Sequence, residues 1–196
     1  PRNGIVIAAD GALDHALAAG LSPAGLVGDL DSISAGGLAW AEAHATIQRH
    51  DPDKDHTDTE LALAIAADFN PARLVMVSGG GDRLDHTLAA IGALGQSNLT
   101  SIPIVEAWWG NQHIRVLHGP GRLNFDVLPG TTISLVAMHG ECNGVTVTGV
   151  KWPLQAERLE PLAGRGISNL ATDEQIEVTV FEGVVTIFTY APEALS

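Results

Sequence analysis

Four groups of acidic side chains stand where short apolar runs end. Asp10 directly follows Gly4 to Ala9 (GIVIAA), and Gly11 after it permits a sharp turn. Gly28-Asp29-Leu30-Asp31-Ser32 follows Leu26-Val27. Asp29 and Asp31 are two apart, so in an extended segment both side chains point the same way. Two carboxylates held at ~4 Å repel by on the order of 4 kcal/mol at an effective dielectric of about 20. A hard divalent cation such as Mg²⁺ removes that cost and takes oxygen ligands. The plainer reading, that these acids only form a turn, remains open on the sequence.

The third group is Asp51-Pro52-Asp53-Lys54-Asp55-His56-Thr57-Asp58. Its start resembles a calcium loop, but His56 stands where a glycine is needed and Ala62 where a glutamate is needed. Asp55 or Thr57 is better read as the cap of a helix that starts at Asp58, with Asp58 in its first turn. The fourth group is Gly79-Gly80-Gly81-Asp82-Arg83-Leu84-Asp85-His86. Glycines after a strand bring backbone N–H groups close to a phosphate, and the next helix N-terminus adds a favourable dipole. Arg83 offers a planar fork for phosphate oxygens. The run is neither of the common glycine-rich nucleotide motifs and has no lysine of the Walker type. Together the four groups describe a phosphate site built on acids, which works only with Mg²⁺ between carboxylate and polyphosphate.

The elements that must position these groups come in two textures. Up to about residue 106, short apolar runs alternate with alanine-rich helical stretches. Gly4 to Ala9 and Leu74 to Val77 read as buried strands, and Asp14 to Ala19 as helix. Leu61, Ala64, Ile65 and Phe69 form one apolar helix face, and Leu84, Leu88, Ile91 and Leu94 another. This rhythm predicts an α/β fold with a mostly parallel sheet covered by helices. From about residue 113 Val, Thr and Ile dominate, in Ile133 to Met138, Val145 to Val150 and Glu177 to Tyr190. Val178 and Val180 face one way, Thr179 and Phe181 the other, and Glu182-Gly183 suits a tight hairpin. We expect residues 1–110 to form the α/β domain and residues 111–196 an antiparallel β domain.

The chain has 196 residues, 45% apolar and 17% charged, a globular composition. With 23 acids against 10 basic side chains the formal net charge is −13, which argues against binding nucleic acid or an anionic membrane. The single cysteine, Cys142, excludes an internal disulfide framework and a Cys-rich zinc site. No apolar run approaches the ~18 residues that span a bilayer. No signal-peptide pattern opens the chain, whose first residue is Pro1. We expect a soluble, cytoplasmic protein.

In order along the chain, these motifs resemble those of the thiamine pyrophosphokinase family. Ala9-Asp10-Gly11-Ala12 resembles its A-D-G-G/A turn, and Gly28 to Ser32 its G-D-x-D-S. Asp55 to Asp58 with Glu60 resembles its D-x-T-D segment, and Arg83 to His86 its R-x-D-H. Gly149-Val150-Lys151-Trp152-Pro153-Leu154 and Gly166-Ile167-Ser168-Asn169 are similar to its G-x-K-[WY]-x-L and G-x-S-N stretches. The resemblance implies an α/β ATP domain, a C-terminal β-sandwich and a homodimer with its active site at the subunit interface. It implies Mg²⁺-dependent transfer of the diphosphate of ATP to the hydroxyl of thiamine, leaving AMP. By the same resemblance Asp10, Asp29, Asp31 and Asp58 are catalytic, with Asp29, Asp31 and Asp58 as metal ligands. Gly79, Gly80, Arg83, Asp85 and His86 are assigned to ATP. Thr57, Asp58, Trp152, Ser168 and Asn169 are assigned to thiamine, although Trp152 also suits a sandwich core. Only nine residues precede Asp10, where relatives usually carry a further strand and helix.

Two other functions are weighed against this one. A diphosphokinase of the same fold could use another alcohol, which a substrate panel decides. A non-catalytic nucleotide or thiamine sensor would bind without releasing AMP, and has no need of so many acids. The eight histidines show no H-x-x-x-H or H-E-x-x-H spacing, against a metallohydrolase.

Overall fold

The computed structural model describes residues 4–79 and 83–190. The chain divides into two units, Pro1–Asn70 and Pro71–Ser196.

In the first unit three short strands, β1 (Ile7–Ala9), β2 (Gly25–Gly28) and β3 (Thr46–Arg49), alternate with helices α1 (Ala12–Ala18), α2 (Ala35–His44) and α3 (Asp58–Asp68). The strands pair in parallel in the order β1-β2-β3, with Ile7 opposite Gly25 and Gly28 opposite Arg49. Parallel neighbours need a crossover, and the helices supply it. Ala8, Leu13, Leu26, Leu30 and Ala41 form the buried core, with Leu17, Ile33 and Leu38 packed against it. Asp14 of α1 ties the start of α2 in place. Its Oδ2 accepts from Ser34 N at 2.8 Å and its Oδ1 from the Ser34 hydroxyl at 2.7 Å. Ser34 Oγ in turn accepts from Gly37 N at 2.9 Å, capping α2. Helix α3 lies against β1 and β2. The expected apolar face of α3 is not its buried one: Leu63 is buried, whereas Phe69 is 56% exposed. Ile65 and Phe69 instead border an open apolar hollow of about 250 Å³ with Ile5, Ile7 and Val27.

The second unit opens with β4 (Arg73–Ser78), α4 (Leu84–Ala93), a 3₁₀ turn (Ser97–Leu99) and β5 (Ile104–Trp109). The strands β6 (Gln112–His118), β7 (Gly121–Asp126), β8 (Thr132–Val136), β9 (Cys142–Thr148) and β10 (Leu154–Leu159) follow. The unit ends with β11 (Asn169–Leu170), β12 (Gln175–Val180) and β13 (Val184–Tyr190). One sheet has six strands in the order β11-β8-β13-β6-β5-β4, in which only β4 and β5 are parallel. The other has four, β10-β9-β12-β7, all antiparallel. Leu135, Val185 and Ile187 of the first sheet meet Val145, Val147, Ile176 and Val178 of the second in one buried core, so the C-terminal part is a β-sandwich. The α/β plus antiparallel β architecture agrees with the sequence reading.

Three details differ from it. Leu74 to Val77 is not buried on both faces, because Val75 is 43% and Val77 79% exposed. In α4, Ile91 is buried but Leu84 and Leu88 are exposed. Glu182-Gly183 does not close a hairpin. β12 pairs with β7 and β9, while β13 pairs with β6 and β8, so the turn carries the chain from one sheet to the other. Gly183, at φ +96, makes this corner, and its carbonyl accepts from Gly119 N at 2.9 Å. The alternation of Val178, Val180 and the exposed Phe181 is as expected, since a period of two fixes a residue's face and not its strand's partner.

Candidate functional site

The carboxyl ends of β1, β2 and β3 lie side by side, the place where open α/β sheets gather ligands. Asp10 follows β1 and takes φ +46, a left-handed conformation that Asp tolerates better than most residues. Asp29 follows β2. Asp58 enters as the first residue of α3, whose start is fixed by a capping box. Glu60 N donates to Thr57 Oγ1 at 3.2 Å, and Glu60 Oε2 accepts from Thr57 N at 2.9 Å. Of the two caps the sequence offered, Asp55 and Thr57, the helix uses Thr57. Asp10, Asp29 and Asp58 each place one carboxylate oxygen within 4.8 Å of the others.

Gly28 makes this convergence possible. At φ +149 it passes beneath the cluster, and a Cβ there would stand 3.1 Å from both Asp10 Cβ and Asp58 Oδ1. Burial pushes the Asp10 carboxyl above its ordinary value; hydrogen bonds from Ser32 and Gly11 work against this, while the charges of Asp31 and Asp58 add to it. Asp10 Oδ1 is buried and has no hydrogen-bond partner. Asp58 Oδ1 is also buried, and its partner is the Lys54 ammonium, 2.9 Å away. An orphaned acceptor beside two further carboxylates, all hard oxygen donors, fits a divalent cation of the Mg²⁺ class.

Asp31 is not one of the three. Leu30 takes φ +67, so the segment is a turn and not the extended stretch expected, and Asp29 and Asp31 do not share a face by alternation. Asp31 N donates to Asp29 Oδ1 at 3.2 Å, and Asp31 Oδ1 accepts from the Ser32 hydroxyl at 2.7 Å. Two features escaped the sequence reading. Lys54 lies in the acidic run as a member of the site, and its i,i+4 spacing to Asp58 was the available signal. Gly28, whose missing side chain leaves room for Asp10 and Asp58, is the second.

In the second unit Arg83 directly precedes α4 and offers no side-chain cap. Its fork grips Asp85, with Nη2 to Oδ2 at 2.6 Å and Nε to Oδ1 at 3.3 Å. This contact holds the exposed Asp85 carboxyl down at about 2. His86 is exposed, and Gly79 has open space where a Cβ would stand. Gly80, also assigned to ATP, lies outside the described residues.

The Trp152 ring is 53% exposed and has Lys151 Nζ 4.6 Å from its centroid, so it is not a core aromatic. Asn169 is buried and clasps the Trp152 backbone: its Oδ1 accepts from Trp152 N at 3.0 Å and its Nδ2 donates to Trp152 O at 2.6 Å. The same Oδ1 accepts from Leu170 N at 2.9 Å. Ser168 is exposed at φ +58, and its N–H donates to Ser134 Oγ at 3.0 Å. These bonds bring Ser168, Asn169 and Trp152 together at one end of the sandwich. Asn169 thus holds the Trp152 backbone in place.

Two family models match the chain. One, described as thiamin pyrophosphokinase, catalytic domain, covers residues 2–105. The other, thiamin pyrophosphokinase, vitamin B1 binding domain, covers residues 114–185. Among solved structures, the thiamine pyrophosphokinase of Bacillus subtilis is 24% identical with a TM-score of 0.82, over 96% of this chain and 88% of that one. A thiamin pyrophosphokinase family protein of Enterococcus faecalis is 22% identical with a TM-score of 0.80, over 95% and 88%. The Candida albicans thiamin pyrophosphokinase is 15% identical with a TM-score of 0.77, over 97% and 82%.

Proposed function

We propose that this chain, which belongs to the thiamin pyrophosphokinase family, transfers the diphosphate group of ATP to the hydroxyl of thiamine, giving thiamine diphosphate and AMP. The observation that carries the reading is the convergence of Asp10, Asp29 and Asp58 at the strand ends, with a buried acceptor left unpartnered. These three carboxylates would hold Mg²⁺, with Asp31 beside them as a further charge. The ion, when bound, supplies charge neutralisation for the diphosphate being transferred. The thiamine hydroxyl oxygen attacks the β-phosphorus in line, and the bond to the α-phosphate oxygen breaks with its electron pair leaving on AMP. One of the aspartates takes the hydroxyl proton. Binding supplies most of the rate by orienting the reactants, as is general in phosphoryl transfer.

We assign Arg83, Asp85 and His86, with Gly79 and Gly80, to the nucleotide. For Arg83 to take phosphate oxygens, a charged ligand must compete with Asp85 for its fork. Thr57, Asp58, Trp152, Ser168 and Asn169 are assigned to thiamine, with Trp152 as a stacking surface for a cationic ring. The functional division near Gly110 is supported by the two family spans, which end at 105 and resume at 114. A homodimer with its active site at the interface and residence in the cytoplasm belong to the same proposal. The free, buried Cys142 fits a reducing compartment.

Protein incubated with Mg²⁺, ATP and thiamine should yield AMP and thiamine diphosphate by ³¹P NMR. Formation of ADP with thiamine monophosphate, or ATP binding with no AMP released, would overturn the reading. Asp31→Asn should lower kcat at least ~100-fold with an unchanged circular dichroism spectrum, the scale of a lost electrostatic partner. Full activity would remove Asp31 from the site.

A further inference from the structure

Lys54 is the one residue of the acidic loop that carries a positive charge, and its side chain is only 16% exposed. It reaches into the carboxylate cluster, with Nζ 2.9 Å from Asp58 Oδ1. That oxygen belongs to one of the three carboxylates that a divalent cation would use. A divalent cation held by the same carboxylate stands close to the ammonium, and the two like charges repel. A lysine on a flexible four-carbon stem can move away, whereas Asp10, Asp29 and Asp58 are fixed by strand ends and a capped helix.

We infer that Lys54 is the resident counter-ion of the cluster, which a divalent cation displaces and which then passes to a phosphate oxygen of the nucleotide. This rests on the reaction proposed above. It makes Lys54 a positioning residue with two successive partners. Without nucleotide it neutralises part of a site that three carboxylates would otherwise leave strongly negative. On loading, the ammonium loses Asp58, and the triphosphate arriving with the cation offers it new anionic oxygens. The exchange makes the free protein a weaker metal binder than its acids alone would be. It ties full occupancy of the cluster to the presence of the nucleotide.

Direct binding of Mn²⁺ alone, followed by electron paramagnetic resonance, tests the first half. Lys54→Gln should bind Mn²⁺ about tenfold tighter than the native chain, equivalent to ~1.4 kcal/mol. Lys54→Arg, which keeps the charge, should stay within about twofold of native. Steady-state kinetics tests the second half: in Lys54→Gln the KM for ATP should rise at least fivefold and that for thiamine should not change. Equal or weaker Mn²⁺ binding by Lys54→Gln, while the native protein still releases AMP, overturns the inference and leaves the proposed reaction standing. Tighter Mn²⁺ binding with an unchanged KM for ATP overturns the transfer to phosphate. If neither protein binds Mn²⁺, the cluster is not a metal site, and both this inference and the metal assignment fall.

Discussion

A methyl group at Gly28 would stand 3.1 Å from Asp10 Cβ and 3.1 Å from Asp58 Oδ1, in a backbone conformation of φ +149 that L side chains rarely adopt. The neighbours would have to shift by a few tenths of an ångström, and both belong to the acid cluster. Gly28→Ala should therefore spread the three carboxylates and weaken Mn²⁺ binding at least ~10-fold, a loss of about 1.4 kcal/mol. Near-native binding by that variant, measured by calorimetry, would show that the oxygens do not act as a set. Thr57 tests the same geometry from the other side. Thr57→Ala removes the acceptor for Glu60 N and should cost about 1 kcal/mol of stability, whereas Thr57→Ser should retain most of it.

At the scale of elements, the crossover helices are positioned by one carboxylate. Asp14 joins α1 to the start of α2 through two bonds from Ser34, and those bonds hold its carboxyl below the ordinary value. A depressed carboxyl stabilises the folded state fully above its unfolded pKa, near 3.9. That contribution disappears as the pH falls through the lower folded value. Asp14→Asn should therefore melt below the native chain at pH 6, and the gap should close as the pH falls toward 2. A gap of constant size across that range would assign the effect to packing instead. The turn at Leu30, φ +67, is also set by its element: the Leu30 side chain is buried in the core of the first unit, which holds the backbone in a conformation costing roughly 1–3 kcal/mol.

At the scale of the molecule, the carboxylate cluster is drawn wholly from the first unit and the large apolar core wholly from the second. Ile187 is fully buried in β13 at the centre of that core. Ile187→Ala should cost roughly 2–5 kcal/mol in denaturant unfolding. At a temperature where the variant is still folded, its Mn²⁺ affinity should equal that of the native chain. A parallel loss of affinity would show that the acid cluster depends on the sandwich.

The acids at strand ends, a helix cap at Asp55 or Thr57 and the change from helical to β texture were legible in the sequence, because each depends on neighbours a few residues away. Chemistry and spacing also limited the ligand to a metal-bound phosphate, since bare carboxylates repel one. Which acids meet was not legible. Asp10, Asp29 and Asp58 are separated by 19 and 29 residues and join only because parallel strand pairing aligns the ends of β1 and β2 beneath the start of α3. Asp31, the nearer neighbour of Asp29 in sequence, stands outside that set of three because the backbone bends at Leu30, φ +67, although its charge still acts on Asp10. The partners of β12 and β13 were hidden for the same reason: alternation records which face is apolar, while the choice of neighbour is made by two sheets closing over a common core.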